Sequence, residues 1–110
     1  MKLETRLEGE VLHVRVDEAR LDAAVATAFK DEMRRVLGAS GRTVVLDLSR
    51  VDFMDSSGLG ATIAVLKSMP RGRSLELDGL RPNVERVFRL TRMDSVFRIR
   101  GMAPGSGEGA

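Results

Sequence analysis

The sequence predicts a single α/β domain with a mixed, mostly parallel sheet of about four to five strands, an antiparallel hairpin at the N-terminal edge and about three to four helices. Two observations predict this fold. Residues 3–16 alternate apolar and polar side chains in two short runs, which is typical of paired strands. After them, strand-like and helix-like periods alternate, which favours right-handed crossovers between parallel strands. The domain is expected to cover residues 1–100, and the glycine-rich residues 101–110 to form a disordered tail.

The N-terminal elements follow from simple periodicity. Alternation in residues 3–7 is interrupted near Gly9 and resumes in residues 11–16, which predicts the hairpin. Asp22 is a suitable cap for a helix that ends near Leu37. Its inner face would consist of apolar side chains at helical spacing, namely Val25, Phe29, Met33 and Val36.

The remaining elements alternate strand and helix. Residues 43–48 are almost continuously apolar, which predicts a central strand covered on both faces. A helix is expected over residues 57–69 and a parallel strand over residues 74–78. Pro82 favours the first turn of a third helix, and residues 96–100 are expected to form a last short strand.

Composition excludes several classes of site. The chain has no cysteine, so it has no disulfide and no thiolate nucleophile. A single histidine argues against a histidine-rich metal centre, and we predict no metal and no cofactor. The N-terminus lacks the apolar stretch of a signal peptide, and no apolar run approaches the roughly 20 residues that span a bilayer. We therefore expect a cytoplasmic protein without direct membrane insertion.

Charge is unevenly distributed although the net charge is only +2. Residues 81–100 contain six arginines, a density that could serve an acidic partner such as a nucleic acid. However, the chain has no Tyr or Trp to stack on bases and no lysine cluster. We interpret these arginines as a solvated helix face and predict no nucleic-acid partner.

The most informative segment is Asp52–Gly60, which reads Asp-Phe-Met-Asp-Ser-Ser-Gly-Leu-Gly. It follows the predicted central strand, and functional sites of parallel sheets lie at the carboxyl ends of the strands. Asp22 follows the strand formed by residues 11–16 and should reach the same end. The sequence therefore predicts one site that contains both segments.

Catalysis by this segment is disfavoured. A serine nucleophile needs a general base within hydrogen-bond reach, and His13 is expected in the middle of a strand. Asp52 and Asp55 have no acid partner or metal-ligand cluster beside them. Residues 57–60 resemble a phosphate cradle at a helix start but lack the lysine of a P-loop, so weak nucleotide binding stays an open alternative. We predict no catalytic residue and a protein that is not an enzyme.

A helix cap and a regulatory site both account for the segment. Asp55 or Ser56 is a common N-cap type, and an Asp55 cap would place Met54 and Leu59 at the positions of a hydrophobic staple. One cap does not require four crowded polar residues, however.

Two apolar residues in the same segment, Phe53 and Met54, would suit a partner surface. Phosphate on Ser57 would add about −1.5 to −2 charges, which the helix dipole would stabilise and a docked partner would meet as repulsion. These features favour a switch that acts at a protein interface.

The stretch from Val44 to Gly60 closely resembles the STAS domain of bacterial anti-sigma factor antagonists, and the resemblance extends over residues 3–100 through Arg20–Ala24 and Leu80–Leu90. It implies that an anti-sigma factor, which is also an ATP-dependent serine kinase, phosphorylates Ser57. The unphosphorylated antagonist would bind that anti-sigma factor and release the sigma factor, and a serine phosphatase would restore it.

The resemblance also places Asp22, Asp55 and Ser56 at the docking surface, and it implies an alternative role. The expected contacts are Asp22, Phe53, Met54, Asp55, Ser56, Gly58 and Leu59. We expect a monomer or weak dimer. The alternative is a STAS subunit of a larger assembly, such as a lipid-transport ATPase complex or a stress-signalling scaffold, but the two serines favour the switch. Arg92 differs from the pattern because many members have glycine there.

Overall fold

A computed structural model describes residues 1–38 and 41–103. In these residues the elements follow in the order β1 (Leu3–Glu8), β2 (Val11–Val16), β3 (Arg20–Leu21), α1 (Ala26–Val36), β4 (Thr43–Asp47), β5 (Phe53–Met54), α2 (Ser56–Lys67), β6 (Ser74–Asp78), α3 (Pro82–Leu90), a 3₁₀ turn (Met93–Ser95) and β7 (Arg98–Ile99). The predicted α/β class is confirmed.

Five strands form the main sheet in the order β1-β2-β4-β6-β7. The β1–β2 pair is antiparallel and the other pairs are parallel, so the predicted hairpin at the edge is confirmed. The strands β3 and β5 form a separate parallel pair. Sequence analysis did not predict this pair because two residues are too few to show a period.

The core lies on one face of the main sheet. In β2, Leu12, Val14 and Val16 are buried while the residues between them are half-buried. These side chains belong to the same apolar cluster as the inner faces of α1, α2 and α3. The helices therefore cover a single face of the sheet. The regularly spaced apolar side chains of both the strands and the helices point to this face.

The opposite, open face of the sheet is polar, and no helix of the described residues covers it. The prediction that β4 is covered on both faces is confirmed by its burial, but on this face neighbouring side chains provide the cover. Val45 is only 1% exposed, yet it lies outside the main core cluster. Its neighbours across the sheet are His13 and Glu76. Polar side chains of the neighbouring strands, not a second layer of helices, thus surround Val45 on this face of β4.

The start of α1 differs from the prediction because backbone groups are satisfied differently. Helix α1 begins at Ala26, since Asp22 accepts a hydrogen bond from the Val25 N–H (3.1 Å) through its carbonyl and closes a turn before the helix. Arg92, which follows the end of α3, adopts a left-handed conformation (φ 61°). Glycine would be unstrained there, in agreement with the family pattern noted above.

The fold continues beyond the predicted end of the domain. The Gly79 N–H donates to the Gly101 carbonyl (2.9 Å), and the Ala103 N–H donates to the Leu80 carbonyl (3.0 Å). Ala103 is buried. Residue 101 is therefore too early a start for the tail, and residues 104–110 of that prediction lie outside the described residues.

Candidate functional site

The serine segment lies against the loop that follows β2. The N–H groups of Asp52 and Phe53 both donate to the Ala19 carbonyl (2.8 and 3.2 Å). Next to these bonds, Arg20 pairs with Phe53 and Leu21 with Met54. The β3–β5 pair thus joins two segments that are more than thirty residues apart in the sequence.

Asp55 is the N-cap of α2 and also a bridge to the neighbouring turn. Its Oδ1 accepts a hydrogen bond from the Gly58 N–H (3.0 Å), and its Oδ2 accepts one from the Ala23 N–H (3.3 Å). The Gly58 bond and then the Ala23 bond hold the pKa of the Asp55 carboxyl below its usual value, because both bonds favour the ionised form. Of the two predicted cap candidates, Asp55 has this role.

Ser56 and Ser57 occupy the first two positions of α2, and both are exposed. Within residues 1–38 and 41–103, neither hydroxyl makes a hydrogen bond with another group of the protein. The first N–H groups of a helix and its positive dipole end favour negative charge. Both hydroxyls are therefore available for modification, at a position where added negative charge is tolerated.

Phe53 stands beside the serines as a partly exposed apolar group. The residue is 38% exposed, and the Arg20 guanidinium carbon lies 4.2 Å from the centroid of its ring. The Arg20 Nε donates to Asp22 Oδ2 (3.1 Å), and Asp22 Oδ1 accepts from the Ala24 N–H (3.1 Å). A cation over an aromatic face is attracted to it, so this chain of contacts orders the surface on one side of the serines.

Three of the predicted partner contacts, Met54, Gly58 and Leu59, are buried in the interior instead. Met54 is 3% exposed and Leu59 is 8% exposed. The expectation that Met54 meets solvent is wrong, because successive residues of a strand point to opposite sides and Phe53 is the outward one of β5. Leu59 belongs to the same core cluster.

Gly58 is buried where α2 passes closest to β3. A Cβ atom at this position would lie 1.9 Å from the Leu21 carbonyl oxygen. The Gly58 carbonyl in turn accepts a hydrogen bond from the buried Thr62 hydroxyl (2.9 Å). Gly58 therefore acts by allowing the helix to approach the strand and so positions the serines.

Sequence analysis missed the residues that support this surface from neighbouring segments. Arg20 and Ala23 contact it as described above. The start of α3 contributes the Asn83 side-chain amide, which donates to the Asp52 carbonyl (3.4 Å). Nearby, the Arg81 Nε donates to the Ser49 carbonyl (2.7 Å). All four residues lie in the two stretches that extend the family resemblance, but no local pattern indicates the contact that each of them makes.

The arrangement gives Ser57 no histidine base. His13 lies on the open face of the sheet, where its Nε2 is 3.4 Å from Glu8, whereas α2 packs against the other face. Within the described ranges, no group of three or more acidic or histidine side chains is arranged to hold a metal ion. In the same residues, no helix is both long and apolar enough to cross a bilayer.

Known proteins are similar to this chain in sequence and in fold. Residues 2–103 match the family model of the STAS domain. The anti-sigma-B factor antagonist of Listeria monocytogenes is 30% identical over 83 residues, which are 74% of this chain and 73% of that protein.

Two solved structures share the fold. An anti-sigma factor antagonist from Mycobacterium paratuberculosis has a TM-score of 0.80 at 24% identity and covers 94% of this chain and 85% of its own. The Bacillus cell fate determinant SpoIIAA in the phosphorylated form has a TM-score of 0.65 at 16% identity and covers 94% and 93%. The family resemblance predicted from the sequence motifs is confirmed by the family model.

Proposed function

Because the chain belongs to the STAS domain family, we propose that it is an anti-sigma factor antagonist whose binding is switched off by phosphorylation of Ser57. One observation carries the proposal. The Ser57 hydroxyl is exposed and makes no hydrogen bond within the part of the chain that the structure describes, while Asp55 and Gly58 fix the helix start on which it lies. Antagonist relatives such as the Listeria protein support the family role.

The proposed docking surface consists of the outward residues around Ser57. Phe53 offers an apolar contact, and Ser56 and Asp52 are exposed beside it. Asp22 and Arg20 border the surface as one ion pair. An exposed ring with a polar rim is typical of a protein interface. The partner we propose is an anti-sigma factor that is also an ATP-dependent serine kinase.

Phosphorylation would change this surface mainly by its charge. The phosphate would add about −1.5 to −2 charges at the positive end of the α2 dipole, so the fold would accommodate it. Asp52 and Asp55 already contribute negative charge to the same junction. A docked partner would then face repulsion and a desolvation cost. SpoIIAA, which shares the fold, has been solved in phosphorylated and unphosphorylated forms.

The proposed cycle needs a serine phosphatase to restore the binding form. Its phosphate donor, ATP, places the cycle in the cytoplasm. In this cycle the protein is a kinase substrate and a binding module, and Ser57 is an acceptor of phosphate rather than a nucleophile towards a metabolite.

The test uses a kinase-type anti-sigma factor from the same organism with four forms of this protein: wild type, Ser57→Ala, Ser57→Asp and Ser56→Ala. With labelled ATP, we expect phosphate on wild type and Ser56→Ala and none on Ser57→Ala. In calorimetric binding, Ser57→Asp should lose at least tenfold in affinity, about 1.4 kcal/mol. Ser57→Ala should bind as wild type does.

Three outcomes would contradict the proposal. Equal binding by all four forms would remove the Ser57 switch, and phosphate on Ser57→Ala would assign the acceptor elsewhere. Capture of membrane-transport ATPase subunits in place of an anti-sigma factor would favour the alternative of a STAS subunit in a larger assembly.

A further inference from the structure

Strand β1 is an open edge of the main sheet. In the described part of the chain, β2 is its only strand partner, and its six residues pair with β2 in unbroken register. Leu7 is 52% exposed at this edge. The opposite edge is the two-residue strand β7. A long regular edge strand without proline offers a row of unpaired backbone groups to another strand, whereas a short one does not.

The backbone of β1 determines which groups are free. The Asp17 N–H donates to the carbonyl of Lys2, which lies next to the Leu3–Val16 pair. In an antiparallel ladder, alternate residues direct both backbone groups to the same neighbour. Even-numbered residues of β1 therefore direct them to β2. Leu3, Thr5 and Leu7 direct theirs outward, where another strand could bind them.

The side chains of this strand are self-complementary. We propose that two copies of the chain associate through their β1 strands. The two strands would run antiparallel about a two-fold axis that lies between Thr5 of one copy and Thr5 of the other. In this register Leu3 of one copy lies opposite Leu7 of the second copy. Glu4 lies opposite Arg6, and Lys2 lies opposite Glu8. Opposite charges and paired apolar side chains stabilise directly opposed positions.

The pattern selects one register. Outward backbone groups must meet outward groups, so the strands can shift only by two residues in their pairing. If the second strand shifts by two residues in one direction, Arg6 lies opposite Arg6 and Glu4 lies opposite Glu8. If it shifts by two residues in the other direction, Glu4 lies opposite Glu4 and Lys2 lies opposite Arg6. Like charges directly opposite are unfavourable. Of the three registers that pair most of the strand, only the Thr5-centred one avoids them, and registers shifted further pair at most half of β1.

A second copy of the chain is the partner that β1 fits, because the strand is complementary to itself. The same six residues supply both sides of the contact, as a two-fold interface requires. Arg6 now forms a mostly exposed ion pair with Glu8 (3.1 Å), which it can exchange at little cost. The contact would join the two main sheets into one continuous sheet. Because a single strand pair is small beside the interfaces of stable dimers, we expect a weak, concentration-dependent dimer.

Two variants of the full chain test the contact in sedimentation equilibrium over a wide concentration range at low salt. Thr5→Pro removes an outward N–H at the centre of the contact and leaves the β1–β2 bonds in place, since proline is tolerated on an edge. Arg6→Glu places a carboxylate opposite Glu4 of the second copy. We expect each variant to raise the dimer dissociation constant at least tenfold. Arg98→Glu makes the same charge change in β7 and should leave the constant unchanged.

A mixture provides the decisive control. Arg6→Glu mixed with Glu4→Arg restores two opposite-charge pairs across the contact, so the mixture should form a heterodimer that neither variant forms alone. Circular dichroism verifies that each variant is folded. A wild type that stays monomeric at all concentrations would overturn the proposal. So would a dimer that both Thr5→Pro and Arg6→Glu leave intact, or a mixture that fails to associate. These results do not depend on Ser57.

Discussion

The two sides of the first turn of α2 differ sharply although they are only two residues apart. On the inner side, Gly58 lies so close to β3 that an added Cβ would meet the Leu21 carbonyl at 1.9 Å. On the outer side, an added Cβ at Gly60 would have no heavy atom of the described residues within 4 Å apart from its own helix backbone and chain neighbours, and Ser57 is exposed. One turn of helix thus combines a tightly fixed frame with a surface that is open to change.

The contrast explains how a small domain can hold a modifiable group in a defined place. Asp55 uses both carboxylate oxygens on backbone N–H groups from two segments. The polar residues of the open sheet face instead pair mainly with one another, as Arg15 does with Glu4. Bonds to backbone fix segments, whereas exposed ion pairs contribute little to stability.

The largest effect should follow from Gly58→Ala, which disturbs the inner side. The methyl group would overlap the Leu21 carbonyl, which is backbone and cannot move aside as a flexible side chain can, and it would also crowd Met54 Cγ at 3.2 Å. We expect a loss of roughly 3 kcal/mol in the free energy of unfolding, measured by urea denaturation with circular dichroism. Wild-type stability of this variant would show that α2 can move away from β3 without cost.

Asp55→Ala should have the next largest effect, because it removes both hydrogen bonds of the cap. We expect the melting temperature at pH 7 to fall by roughly 4 to 8 °C. The pKa of Asp55 is lowered in the folded state, so its contribution is present above the unfolded pKa of about 4 and is lost as the pH falls through the folded value. The difference between variant and wild type should therefore shrink in acid.

Asp52→Ala serves as the control for the loss of an acidic side chain from this junction. Asp52 is exposed, and its contacts with Ala19 and Asn83 run through the backbone rather than through the carboxylate. Its difference from wild type should be small. A difference for Asp55→Ala that stayed constant from pH 7 to pH 3 would contradict the role given to its charge.

Gly60→Ala sharpens the comparison from the outer side and should stabilise the protein. Alanine is favoured over glycine in a helix, and the added methyl group meets nothing. We expect a gain of about 0.5–1 kcal/mol in the same urea experiment. A loss of stability would mean that the outer side is more constrained than its open surroundings indicate.

The smallest effect on stability should come from Ser57→Asp. The added charge is favoured by the helix dipole and opposed by Asp52 and Asp55, so we expect a change within about 0.5 kcal/mol. This result would separate a change in binding from a change in folding. A loss well above 1 kcal/mol would instead indicate that negative charge at this position disturbs the helix start.

Elements with a clear period were predicted well, and those held by single contacts were not. The strand at residues 74–78 has the predicted bounds because alternation and flanking polar residues define it. The pair β3–β5 was missed, because its pairing depends on bonds to the Ala19 carbonyl that no local pattern reveals. The same omission made Met54 look exposed.

For the candidate site, sequence analysis identified the position of the serines and the Asp55 cap. It did not identify which side chains of the segment face inward. Gly58 illustrates the reason: the sequence shows a glycine in a helix start, but only the approach of Leu21 explains its burial. Long-range contacts of this kind decide the division between supporting and exposed residues.

The partly exposed ring of Phe53 beneath Arg20 has a practical consequence. The chain contains no Trp and no Tyr, so it has almost no intrinsic fluorescence. An indole in place of this ring, in Phe53→Trp, would be its sole fluorophore and would lie within the proposed docking surface. Its emission would shift to shorter wavelengths when a partner excludes water from that surface, which would make docking visible without an attached label.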